Sequence, residues 1–126
     1  MNDIHEAQGS PWIGVDLDGT LAEYHGWKGI HHIGPPIPKM VDRVKRWVQS
    51  GKTVKIFTAR VSGRSSEAAE ARRFIREWLL ANFDAQIAQI EVTNEKDFLM
   101  LELWDDRAIQ IITNTGERSD GSDNEN

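Results

Sequence analysis

Apolar positions along the chain follow two rhythms. Trp12-Ile13-Gly14-Val15 is a short, continuous apolar run with β-branched members, the pattern of a strand buried on both faces. Thr53–Thr58 and Gln89–Thr93 read as the second and third strands. Leu99–Trp104 alternates Leu99, Leu101 and Leu103 against Met100, Glu102 and Trp104, and Ala108–Thr113 reads as a short fifth strand. Between the early strands the period changes to that of a helix. Met40, Val41, Val44, Trp47 and Val48 share one helical face, opened by Pro38 and stopped by Gly51. Ala71, Phe74, Ile75, Trp78 and Leu79 form a second stripe, with Ser65 or Ser66 as cap, Glu67 in the first turn and Asn82 as a plausible end.

Strands alternating with helices predict right-handed parallel crossovers. The expected fold class is therefore α/β: a Rossmann-like, mostly parallel central sheet of about five strands flanked by helices. The length, 126 residues, fits one domain. Residues 1–11 read as a loose arm, 12–113 as the domain proper, and 114–126, rich in Gly, Ser, Asp and Asn, as a disordered acidic tail. Within the domain, 21–37 carries too many glycines, prolines and histidines for a helix and reads as a flap or short hairpin.

Composition narrows the chemistry. Without cysteine there is no disulfide, thiolate metal site or cysteine nucleophile. No run is long enough to span a membrane and no signal pattern opens the chain, so a cytoplasmic protein without a membrane partner is expected. The net charge of −5 is unevenly spread: residues 39–76 carry 11 Lys/Arg against 3 Asp/Glu, whereas 77–126 carry 3 against 12. The basic middle suits an anionic substrate, or is simply the solvated faces of two helices.

The acidic residues fall where strands end. Asp16-Leu17-Asp18-Gly19-Thr20 closes the first strand, and a buried strand that ends in two carboxylates is costly unless a cation lies nearby. The plainer alternative is a turn with solvated aspartates. Thr58-Ala59-Arg60 closes the second strand, Gly63 and Arg64 add cues for anion contact, Lys96 follows the third, and Asp105-Asp106 closes the fourth. In open α/β sheets ligands bind at these carboxyl ends. In the flap, His25, Trp27 and Lys28 are candidates for substrate contact or for ordinary loop packing. His31 and His32, being adjacent, make a poor chelate.

Four motifs in this order resemble the haloacid dehalogenase (HAD) superfamily of aspartyl-phosphate phosphatases: Asp16-Leu17-Asp18-Gly19-Thr20, Thr58 after Val-Lys-Ile-Phe, Lys96, and Asp105-Asp106 after Leu-Glu-Leu-Trp. The resemblance spans about residues 12 to 113. It implies a HAD-like domain holding Mg2+ through Asp16, Asp105, Asp106 and the Asp18 carbonyl. It implies Asp16 as nucleophile, Asp18 as acid and base, Thr58 on the phosphate oxygens and Lys96 as counter-charge and orienting group. The implied reaction is phosphomonoester hydrolysis; phosphotransfer to another acceptor stays open.

Neither gap is long enough for a separate cap domain. Closure then falls to the flap, the 61–66 loop, a large substrate, or a second subunit of a homo-oligomer. The substrate class stays open among nucleotides, sugar phosphates and polynucleotide ends, with Arg60 and Arg64 as candidates for a second phosphate and Trp27 for a base. A phospho-accepting receiver domain uses similar residues, but places its acidic pair first and its lysine last. A phosphate-binding module without turnover is the remaining alternative.

Overall fold

The computed structural model describes residues 9–63 and 66–122. Four strands, β1 (Trp12–Asp16), β2 (Thr53–Phe57), β3 (Glu91–Thr93) and β4 (Met100–Trp104), form one sheet in the order β3-β2-β1-β4. Every neighbouring pair is parallel. Helix α1 (Pro38–Gln49) links β1 to β2, and helix α2 (Ser66–Asn82) links β2 to β3.

Strand alternation decides where the core sits. Ile13, Val15, Val54, Ile56 and Val92 project to one side and share a single buried cluster with Met40 and Val44 of α1 and Ala71, Ile75 and Leu79 of α2. Both helices therefore cover the same face, as two right-handed crossovers running in the same direction must. Pro38 sits in the first turn of α1, where its missing N–H costs nothing.

The opposite face is covered differently. Residues 94–99 run from the β3 edge to the β4 edge with no helix between. They are pinned midway, where the Trp12 indole N–H donates to Asp97 Oδ1 at 2.9 Å and the Trp12 backbone N–H donates to Leu99 O at 2.9 Å. Trp12 is almost fully buried, and the Lys55 ammonium lies 4.6 Å from the centre of its ring. The indole N–H, followed by burial and then the Leu99 N–H, acts on Asp97, and the balance holds its carboxyl below the usual carboxylate range.

The expected fifth strand does not join the sheet. Ile109, Ile111 and Ile112 stay exposed, and 110–119 instead folds on itself through Ile112 N–H to Glu117 O (2.8 Å), Ser119 N–H to Gln110 O (2.9 Å) and a bridge between Ile111 and Arg118. Asn114, at φ 67°, turns the chain sharply there, so local pairing replaces sheet pairing. Part of the stretch expected to be disordered thus holds a hydrogen-bonded turn; residues 123–126 and 1–8 lie outside those described.

The flap leaves the sheet after β1 and returns to α1 through an antiparallel clasp. Glu23 N–H donates to Pro35 O and Ile37 N–H to Leu21 O. A side chain at Gly34 would put its Cβ 2.2 Å from Glu23 O, so the two arms of the clasp meet this closely only because position 34 is glycine. Trp78 of α2 donates its indole N–H to Gly34 O at 3.0 Å, and His31 pairs with Glu70, fastening the flap to that helix. Among the described residues no helix is long and apolar enough to cross a membrane.

Candidate functional site

Parallel strands end at one rim, and three of these ends carry the polar groups. Asp16 closes β1 and pairs in register with Phe57, so Thr58 stands one step beyond at the end of β2. Trp104 closes β4 and packs edge-on against Trp47 of α1, with ring centres 5.1 Å apart; Arg43 lies over the same indole. That packing fixes the end of β4 and with it Asp105 and Asp106.

Asp16, Asp105 and Asp106 meet there. One carboxylate oxygen from each lies within 4.8 Å of the others. Thr20 sits between them: its hydroxyl is 3.4 Å from both Asp16 Oδ2 and Asp106 Oδ1, and it accepts the Asp106 N–H at 3.1 Å. Gly19, at φ 89°, lets the turn pass beneath; a Cβ there would lie 2.5 Å from Asp106 Oδ2. Asp105 accepts the Arg107 N–H at 2.7 Å, which holds its carboxylate in a tight local turn.

Electrostatics in the group are unfavourable as it stands. Burial first, then the Asp105 charge, a hydrogen bond that the protonated Asp16 donates to Asp106, and the charges of Asp106 and Asp18, push the Asp16 carboxyl up to about 7. A divalent cation would relieve this repulsion. The donors are hard oxygens with no nitrogen or sulfur among them, the set that suits Mg2+, Ca2+ or Mn2+. The glycine cradle adds the room in which they converge, so the residues fit the ion implied by the sequence.

Asp18 faces elsewhere. Its carboxylate is gripped by Arg60, with Nε to Oδ2 at 2.7 Å and Nη2 to Oδ1 at 2.8 Å. Arg60 Nη2 also donates to His32 O at 2.9 Å, Nη1 reaches Ile30 O at 3.4 Å, and the guanidinium lies 4.9 Å from the centre of the Trp27 ring. The side chain is only 5 % exposed. Arg60, expected as a ligand for a second phosphate, here gives hydrogen bonds to Asp18 and to two flap carbonyls. Thr58 is buried at the cleft, where its hydroxyl accepts the Arg60 N–H at 3.2 Å and starts a 3-10 turn over Ala59–Val61.

These residues line a cleft of about 790 Å3 that opens at the rim of the sheet, with Tyr24, Trp27 and Arg107 on its walls. Lys96 is not among them. It is exposed and forms no ion pair among the described residues. The physical reason is the length of its segment: 94–99 must cross the sheet without a helix, and the run to Asp97 and Trp12 leads away from the rim. Arg64 lies outside the described residues. His25 pairs with Glu23 at 3.3 Å, and Lys28 borders a smaller pocket under the flap.

Thr20 is the residue whose role the sequence reading missed. The signal lay in its place within Asp-x-Asp-Gly-Thr: a hydroxyl just past a glycine turn is well placed to reach back to the carboxylates. No family model, curated protein or solved structure matches the chain.

Proposed function

We propose that the chain is a Mg2+-dependent phosphomonoester hydrolase working through an aspartyl-phosphate on Asp16. One observation carries this reading: three carboxylates from the ends of two parallel strands converge on one point of an open cleft, beside a fourth held by an arginine. Such a cluster is electrostatically costly, and a site that holds a cation and a phosphate gives the cost a use.

In this scheme Asp16, Asp105 and Asp106 hold the ion, which when bound offsets the negative charge of carboxylates and phosphate together. An Asp16 oxygen attacks phosphorus, the bond from phosphorus to the ester oxygen breaks, and the leaving alkoxide takes a proton from Asp18, which must first part from Arg60 and take up that proton from solvent. Asp18 then removes a proton from water, the resulting hydroxide attacks the aspartyl-phosphate, and inorganic phosphate departs as the Asp16 carboxylate is restored. Thr58 offers its hydroxyl to an equatorial phosphate oxygen, where transition-state charge is spread.

A second reading rests on the Arg60–Asp18 pair. Asp18 is engaged on both oxygens. A domain that accepts phosphate on Asp16 and keeps it would need no free acid or base, which fits a phospho-accepting regulatory module. One experiment tests both. Incubating the chain with Mg2+ and an aryl phosphate should release aryl alcohol and inorganic phosphate at equal, steady rates. A single burst of alcohol with a lasting acyl-phosphate would select the regulatory reading, and no release of alcohol would defeat both.

A further inference from the structure

We propose that the cleft takes phosphate monoesters whose organic part carries a flat aromatic base, that is, nucleotides, with the base laid on Trp27. This rests on the reading of the cleft as a phosphate site and adds what holds the rest of the substrate.

Trp27 is 57 % exposed and Tyr24 is 44 % exposed, and both line the cleft that contains the three carboxylates. Scattered exposed aromatics need no explanation, but two on the wall of a polar cleft do. The Trp27 ring is also held in place. One face carries the Arg60 guanidinium, which is itself fixed by Asp18 and by the His32 carbonyl. A ring backed in this way loses little freedom when a second flat group stacks on it.

The ring and the acids also share one cleft. Arg60 holds both oxygens of Asp18 through Nε and Nη2 and lies over the Trp27 ring, so one guanidinium links the acid to the ring. A ribose is the group that would lie between a phosphate at Asp16 and a base on Trp27. A sugar alone would ask for neutral hydrogen-bonding groups, whereas the polar residues on the wall are chiefly carboxylates, Arg60 and Thr58, with work of their own.

The same base-beside-phosphate chemistry occurs in a free nucleotide and at the phosphorylated end of a polynucleotide. Net charge of −5 disfavours a long tract. Arg107 lines the cleft and makes no ion pair among the described residues, which leaves it available to the phosphate of the substrate.

Calorimetric titration of the Asp16→Asn chain with Mg2+ tests the proposal without turnover. A nucleoside monophosphate should bind about 10-fold or more tighter than ribose phosphate, the scale of one base stacked on one aromatic side chain. Trp27→Leu added to this background should erase the preference while leaving ribose phosphate affinity unchanged, and Trp27→Phe should restore much of it. Equal affinities, a preference that survives Trp27→Leu, or no binding of either ligand would overturn the proposal. Short 5′- or 3′-phosphorylated oligonucleotides in the same titration tell a polynucleotide end from a free nucleotide. Turnover of aryl phosphate by the unsubstituted chain is scored separately, so failure of base preference and failure of hydrolysis are read apart.

Discussion

Arg60 and Asp18 face each other through two parallel hydrogen bonds, 2.7 and 2.8 Å long, across 42 positions of sequence. The pair joins the end of β2 to the turn after β1, and the same guanidinium holds two flap carbonyls. Arg60→Ala should therefore leave Asp18 unpaired in a mostly buried place and cost about 3 kcal/mol of stability. Lysine cannot reproduce the fork, so Arg60→Lys should recover less than half of that. Urea unfolding measures both, and limited proteolysis should cut the flap sooner in each variant. Stability unchanged within about 0.5 kcal/mol would mean that the flap is held without this residue.

The raised Asp16 carboxyl gives a pH signature. The folded chain holds that proton more tightly than the unfolded chain, so the contribution is present below pH 3.8 and is lost as pH rises towards about 7. Without metal, the unsubstituted chain should lose stability relative to Asp16→Asn across that window, and Mg2+ should remove most of the difference above it. Thermal unfolding with chelator and with Mg2+, at several pH values, gives the comparison. Parallel curves for the two chains would show that the carboxylates are not crowded in solution.

Gly19→Ala should disable the metal group without touching a ligand. Its Cβ would collide with Asp106, and the φ of 89° disfavours any side chain. A loss of about 1–3 kcal/mol in stability is expected, with Mg2+ affinity down at least 10-fold by calorimetry. Thr20→Val removes the shared hydroxyl at similar volume and should weaken Mg2+ less, about 3-fold. An effect of Gly19→Ala smaller than that of Thr20→Val would contradict the packing described.

Charge balance asks for a further cation. Under the proposed function, three carboxylates and a phosphate dianion would outweigh one divalent ion, and Arg60 is engaged by Asp18. In the structure the available group on the cleft wall is Arg107, whereas Lys96 is exposed on the crossing segment. Arg107→Ala should lower kcat/KM for a phosphoester by about 10-fold or more, and Lys96→Met by less than about 3-fold. A loss of 100-fold at Lys96 would show instead that 94–99 rearranges to bring its ammonium to Asp16.

Much of this architecture was legible from period and punctuation. The alternation of β1, α1, β2, α2 and β3 follows from apolar spacing, with Pro38 and Gly51 marking the ends of α1. Asp16, Asp105 and Asp106 could be brought together on paper because parallel strands share one rim. Partner choice was not legible. Whether Arg60 would meet a phosphate or Asp18 depends on where the flap carbonyls of Ile30 and His32 lie, and no local pattern encodes that. Ala108–Thr113 was misread for a related reason: its apolar residues suit a strand, but Asn114 and Gly116 turn the chain before any sheet edge is reached. Lys96 was placed by motif order, which carries no information about the length of the link to β4.

That link also sets a timetable. β4 pairs with β1 alone among the strands, at an edge that the chain reaches only after both crossovers are complete. A protein emerging from the ribosome thus presents Asp16 and Asp18 long before the two acids that complete the group with Asp16. Early in synthesis the acidic group is only half made, and under the proposed function capture of an ion would be a mark of finished folding.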